Sequence, residues 1–337
     1  MKMMSGKVAA TAAFMLLQHV AWAADSVEEA RDALQTQEDD VTQEKNLEEV
    51  FQAAEKQYSL LPSGQMSLNF SANYNYYRDD RIDIAIDENS GSISRFRVEQ
   101  DAQHAFSSSL SLDYGIWNNL TFNTRLPVSY KYDTQKDVSQ AALGDVSFSL
   151  RYQPFPVKPG AMNTTLYTTL STPTGDSPYD INTREEVSSG SGYYSLGAGV
   201  SASKVIDPVV LFGSVGYTYA FDATGLNQLR GNQILREVQP GDSLNFSMGF
   251  AYALSYEVSL SASYQQSYNF DTNFIFESYS AQSEDSTSSV VNTSLGLRTS
   301  SNRIVNLSFG FGLTEDSPDV LLGISMPIDF SGLKPGA

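Results

Sequence analysis

From Gln65 onward the chain alternates. Met66, Leu68, Phe70, Ala72, Tyr74 and Tyr76 take every second place, and Ser67, Asn69, Ser71, Asn73 and Asn75 fill the places between. Successive side chains of a strand point to opposite faces, so this run predicts a β-strand with one apolar face and one face of hydroxyls and amides. The same period of two returns over residues 106–114, 120–130, 146–152, 162–170, 194–202, 209–219, 244–254, 258–270, 291–297, 305–313 and 320–330. That makes twelve strands, an even number, and all but the seven-residue runs 146–152 and 291–297 have about the 9 to 13 residues that a tilted strand needs to cross a bilayer.

The links between these runs fall into two classes. Residues 115–118, 154–160, 203–208, the neighbourhood of Ser255 and residues 300–302 are short links, while 78–103, 131–142, 172–192, 222–242 and 271–286 are long. Short and long alternate along the chain, as they do in membrane barrels with both termini on the periplasmic side. Only 314–319 is short where a long loop is allowed.

Aromatic side chains gather at the strand ends. Tyr74, Tyr76, Tyr130, Tyr132, Tyr194, Tyr217, Tyr219, Tyr264 and Tyr268 fall toward the long loops, and Tyr114, Trp117, Tyr152, Tyr252, Tyr256 and Phe330 toward the short turns. Two such belts are expected where rings sit at lipid headgroups. Alternation by itself leaves open which face is inside, and a soluble all-β protein would bury the apolar one. Twelve strands closed into a barrel, however, enclose more room than side chains fill, and the Ser/Asn face carries too little Lys and Glu for the outside of a soluble domain. The expected fold is all-β: an antiparallel up-and-down transmembrane barrel over residues 65–330, with 331–337 as a tail.

Upstream the pattern changes. Lys2 and Lys7, an apolar run from Ala9 to Leu17 and the small-residue site Ala21-Trp22-Ala23 have the layout of a secretory signal peptide over residues 1–23. Residues 25–58 hold eleven acids against three bases, with no Gly or Pro, so 24–64 is expected to be an acidic periplasmic segment. Leu47, Val50, Phe51, Ala54 and Tyr58 have helical spacing; 25–43 has a broken heptad and reads equally well as a solvated tail. The turn residues Pro62, Ser63 and Gly64 close the region.

Composition narrows the chemistry. A net charge of -18 excludes a nucleic-acid partner and suits exposed acidic loops. Cysteine is absent, so disulfides and thiolate metal sites are out, and beyond the signal the single histidine, His104, rules out paired-His metal sites. Neither a cofactor nor a catalytic group is expected. Outer-membrane phospholipases carry an outward His-x-Ser, but here Phe106 stands at that place and only the more distant Ser108 shares a face with His104. An interfacial role is the ordinary reading of this histidine. The Asn-x-Ser/Thr triplets follow from alternation, and Gly197-Ala198-Gly199 reads as small packing rather than a phosphate cradle.

Charges on the polar face are more telling. Arg125, Arg151 and Arg298 point inward by parity, with Asp113 and Asp145 in the same lumen. Ionisable groups inside a membrane protein mark functional sites by default. They suit either of two roles: seating an N-terminal plug helix through Glu44, Glu48, Glu49 and Glu55, with Leu47, Phe51 and Tyr58 on its apolar side, or pairing in the lumen to set ion selectivity.

Several stretches resemble a known family. Leu60-Leu61-Pro62-Ser63-Gly64-Gln65, Tyr114-Gly115-Ile116-Trp117-Asn118-Asn119-Leu120 followed by Arg125-Leu126-Pro127, Leu143-Gly144-Asp145-Val146 to Arg151-Tyr152, and Glu315-Asp316-Ser317-Pro318-Asp319 are similar to outer-membrane transporters grouped with the meta-pathway phenol-degradation proteins. Within that group the chain most resembles the outer-membrane channel of the functional-amyloid (Fap) export system. The resemblance implies a twelve-stranded, lipid-embedded pore plugged by an N-terminal helix, passing unfolded amyloid subunits and trimerised by a periplasmic coiled coil. The wider family name implies a channel for small aromatic or hydrophobic solutes instead. The acidic segment here is shorter and less regular than such a coiled coil, and the chain runs seven residues past Phe330.

Overall fold

Alternation of apolar and small polar residues makes each strand two-faced, and a sheet of such strands must hide one face from water. Closure into a barrel in lipid does so with every backbone group paired. The computed structural model describes residues 60–86, 93–133, 138–156, 161–181, 188–206, 208–230, 233–255, 257–300 and 303–328. Residues 1–59, which include the expected signal and acidic segment, lie outside the described residues, as do Tyr256, Phe330 and 331–337.

The wall is built from β1 (Met66–Ile86), β2 (Ile93–Trp117), β3 (Leu120–Asp133), β4 (Val138–Leu143), β5 (Ser147–Tyr152), β6 (Met162–Ser171), β7 (Ser195–Ile206), β8 (Val209–Ala220), β11 (Ser243–Ala253), β12 (Val258–Asn269), β15 (Ser286–Ser300), β16 (Arg303–Gly312) and β17 (Val320–Ile328). Each pairs antiparallel with its chain neighbour, and β1 pairs with β17 from Leu68↔Ile328 to Tyr76↔Val320, which closes the ring. Because β4 and β5 are two pieces of one strand along β3, the barrel has twelve strands. At the long-loop end β9 (Ala223–Arg230), β10 (Gln233–Gln239), β13 (Asn273–Phe276) and β14 (Ser280–Gln282) form a separate four-stranded sheet.

The faces are inverted relative to a soluble protein. Ser109, Thr121, Thr165, Ser201, Ser247, Ser261 and Asn306 are buried, while Leu110, Leu126, Leu150, Val200, Leu211, Val215, Met248, Phe250, Leu307 and Leu322 are exposed. An apolar exterior this continuous is a lipid-facing one. Tyr74, Phe106, Tyr130, Tyr219, Tyr268 and Phe270 ring its long-loop end, and Tyr114, Trp117, Tyr152, Phe155 and Tyr252 its short-turn end.

Two expected loops are in fact strand. β1 and β2 continue through most of 78–103, and β3 and β4 through most of 131–142. Above the membrane both faces of a hairpin are wet, so pairing persists where the alternation that announced it has gone. The two stretches expected as long loops over 222–242 and 271–286 likewise fold into β9, β10, β13 and β14.

β4 pairs only with β3 among the described residues, because β6 and β7 end at the Ser171↔Ser195 row. The β6–β7 connection fills the resulting notch: Ser189 Oγ donates to the Leu143 carbonyl at 2.7 Å and Thr174 Oγ1 to that of Gly144 at 3.1 Å.

Candidate functional site

The lumen is lined by the small polar face of the strands, and its two mouths are shaped differently. At the short-turn mouth the chain turns back on itself before β1. Gln65 N donates to the Pro62 carbonyl at 3.1 Å, and Gly64 has φ +78°, the left-handed value that the third residue of such a turn requires. Ser63 fixes the turn to the β2–β3 connection, its N to Asn118 Oδ1 at 3.0 Å and its Oγ to the Ile116 carbonyl at 3.1 Å.

Beyond this turn Leu61 and Pro62 run along the inside of the wall. A Cβ on lumen-facing Gly115 would collide with the carbonyl oxygens of Pro62 and Leu61, so the missing side chain is what admits the backbone there. Leu61 N donates to Oγ1 of the fully buried Thr121 at 2.9 Å. Leu60 and Leu61, the first described residues, thus lie on the lumen side of the wall.

Above this entry lies the charge cluster. Asp113 on β2 forms an ion pair with Arg151 on β5, both buried, and also accepts from Asn69 Nδ2 at 3.2 Å and Asn123 Nδ2 at 2.9 Å. Arg125, two residues above Asn123 on the same face of β3, donates from Nε to Ser109 Oγ at 3.2 Å. Arg298 lies near the short-turn end of β15, its backbone N bonded to the Glu257 carbonyl at 2.8 Å. On the far wall Val205, Val210, Phe212, Ala251 and Ala253 make an apolar patch within the lumen.

Asp145 does not join these arginines, correcting the expectation that it stands beside them. It sits in the break between β4 and β5, where its carboxylate accepts from Gly175 N at 3.0 Å, Ser191 N at 2.6 Å and Ser191 Oγ at 2.6 Å. Those partners belong to the β6–β7 connection. Lys131 and Gln140, also lumen-facing, hold the same segment through the Ser188 carbonyl at 2.7 Å and Asp176 Oδ2 at 3.0 Å. Since inward side chains grip it, this connection folds into the long-loop mouth and narrows it. Its outer part packs Tyr179 and Tyr193 against Ala223, Leu226, Leu235, Val238, Phe274 and Phe276 of the small sheet. Burial there pushes the Tyr179 phenol up to about 12, and raises Tyr193 too, helped by the nearby Asp145 carboxylate.

Sequence reasoning placed Lys131 in a loop, although its even spacing from Arg125 puts it on the same face. Tyr167 was missed as well. His104 and Ser108 share the outer face, but the histidine Nδ1 bonds the Tyr74 hydroxyl at 2.8 Å within an aromatic group that includes Tyr76 and Tyr132. Among the described residues no cluster of three His, Cys, Asp or Glu could hold a metal. Glu44, Leu47, Glu48, Glu49, Phe51, Glu55 and Tyr58 lie outside the described residues.

No protein-family model matches the chain. Among solved structures the barrel is similar to the COG4313 outer membrane channel from Pseudomonas putida F1, with a TM-score of 0.60 at 12% identity, over 80% of this chain and 97% of that one. The translocator domain of the autotransporter NalP from Neisseria meningitidis gives 0.47 at 8% identity, covering 83% of this chain and 93% of that one. A deltaS2 mutant of the TodX monoaromatic hydrocarbon channel gives 0.41 at 11%, covering 80% and 91%. At such identities the likeness is one of fold.

Proposed function

We propose that this chain is an outer-membrane channel for small solutes, gated from the periplasmic side by its own N-terminal segment. The observation that carries the reading is the Pro62–Gln65 turn, which sends the chain back along Gly115 and Thr121 into the lumen. A segment that enters there meets two complementary surfaces: the apolar patch around Phe212 for Leu47, Phe51 and Tyr58, and the arginines for Glu44, Glu48, Glu49 and Glu55. The likeness to the COG4313 outer membrane channel supports the same class and the same membrane. The other mouth supports small cargo, because an inward connection gripped by Asp145, Lys131 and Gln140 leaves a fixed constriction.

Export of unfolded, amyloid-type subunits is the second reading. It is favoured by the neutral wall of β6, β7, β8, β11 and β12, whose Ser, Thr, Asn and Gln side chains can exchange hydrogen bonds with a passing peptide backbone. Single-channel recording separates the two. Mature protein that is closed, and opens when the chain starts at Ser59, establishes the gate; equal conductance refutes it. Polymer exclusion on the open form then reads the constriction: entry only of polymers narrower than an extended peptide supports solutes, and entry of wider ones supports export.

A further inference from the structure

The protein carries a net charge of -18, yet one lumen cation has no described acid beside it. Among the described residues the charges on the lumen side of β2 to β5 are Arg125, Lys131 and Arg151 against Asp113, Asp145 and, on the inward connection, Asp176, while Arg298 stands opposite Glu257 at the short-turn end. The first three carboxylates are already engaged, Asp176 by Gln140 Nε2. Asp113 is taken by Arg151, Asn69 and Asn123, and Asp145 by the amides of Gly175 and Ser191.

Arg125 is in a different position. Its hydrogen bond runs from Nε to the neutral Ser109 Oγ, and no described carboxylate lies within ion-pair distance of it. The residue is exposed on the lumen face, and among the described residues its two terminal Nη groups have no hydrogen-bond partner. By register its strand neighbours on the lumen face are Ser111 and Ser147, which add hydroxyls and no charge. Six residues further along β3, Lys131 also spends its ammonium on a neutral partner, the Ser188 carbonyl.

These charges are not spread around the ring. With the exception of Arg298 and Glu257 they lie on β2 to β5 or on the connection held there, while β6, β7, β8, β11 and β12 present uncharged side chains to the lumen: Ser, Thr, Asn, Gln, Gly, Tyr167 and the apolar patch around Phe212. A cation without an acid partner that faces a neutral wall, inside a low-dielectric sleeve of protein and lipid, attracts anions. A planar guanidinium with a free pair of N–H groups matches a carboxylate in two parallel hydrogen bonds, and a single cation balances a single negative charge. We infer that the lumen is anion-selective and that Arg125 is the residue at which small carboxylate-bearing solutes are recognised as they pass. The inference rests on the channel reading above and specifies its substrate class.

The test is reversal potential across planar bilayers in a KCl gradient, on the mature full-length protein and on the open form that starts at Ser59, followed by titration with acetate as the carboxylate probe. Wild type is expected to favour chloride over potassium several-fold and to show saturable block by acetate. Arg125→Gln should bring the permeability ratio close to unity and abolish the block; Arg125→Lys should keep the chloride preference and weaken the block, because it keeps the charge and loses the planar fork. Heat-modifiability on gels reports that each variant is folded. A wild type that favours potassium or neither ion, or an Arg125→Gln channel with undiminished preference, overturns the inference and leaves the channel standing. Absence of current from both forms, each shown to be folded, overturns the inference and the channel reading together.

Discussion

Tyr167 lies flat over Gly199. The two face each other across β6 and β7, and Gly216 lies directly beyond on β8; a Cβ at either glycine would run into the phenol ring. The ring is thereby swept against the wall, with its hydroxyl bonded to Ser214. Gly199→Val should force it into the lumen. The expected result is a lower single-channel conductance together with a loss of about 1–3 kcal/mol from overpacking. Thermal unfolding in detergent and bilayer recording measure the two effects, and a variant unchanged in both would show that the ring does not depend on the glycine.

Asp145 holds the inward connection by accepting two backbone amides and a hydroxyl. Asp145→Ala removes all three at once. Charged hydrogen bonds of this kind are worth roughly 1.5–3 kcal/mol each, so amide exchange at Gly175 and Ser191 should quicken by at least about tenfold. The membrane strands, which share no partner with Asp145 through these bonds, should keep their protection. Current through the open channel should become noisier as the constriction loosens. Unchanged exchange at both amides would mean that the connection is held elsewhere.

The same mouth should respond to alkali. A phenol exposed on opening titrates near its ordinary value of about 10, whereas packed Tyr179 holds its proton to about 12. Because the folded value is the higher one, the packed form gains stability that is complete below pH ~10 and is lost as pH rises toward 12. Opening of the small sheet against the β6–β7 connection should therefore follow tyrosinate absorbance in that window, with Tyr193 shifted in the same direction. Tyr179→Phe should narrow the window from its upper side, and an unaltered alkaline transition in that variant would assign it to another group.

The barrel was legible in the sequence because lipid on one side and water on the other impose a strict period of two. Where both sides are wet, as beyond Arg78 and Lys131, pairing continued without that signature and was read as loop. Parity told which charges face inward but not whom they meet: Asp113 and Arg151 are separated by 38 residues and are joined only by the register of β2, β3 and β5. Asp145 has inward parity too, yet it lies at a break between strands, where partners come from a loop whose path no periodicity records. Tyr167 escaped notice for a related reason, since an aromatic among polar lumen positions makes sense only beside the glycines that neighbouring strands bring to it.

Gly115 offers the sharpest handle on the proposed gate. It is a lumen-facing residue at the end of β2, and its absent side chain is the space occupied by the Leu61 and Pro62 backbone. Gly115→Ala adds a single methyl group, too little to disturb pairing along the strand but enough to push that backbone off the wall and break the Leu61 N to Thr121 Oγ1 bond. One neutral hydrogen bond of about 1 kcal/mol then no longer holds the entry, so the closed state should lose occupancy by roughly fivefold. Thr121→Val removes the same bond without adding bulk and should act in the same direction more weakly. Gly64→Val attacks the entry from the other side, by placing a β-branched residue at a positive φ, and should open the channel as well. The measurement is the resting open probability of full-length protein in bilayers. Three variants that all leak would tie closure to the path of residues 60–64, whereas three that stay closed would show that the N-terminal segment, wherever it goes, does not depend on this entry.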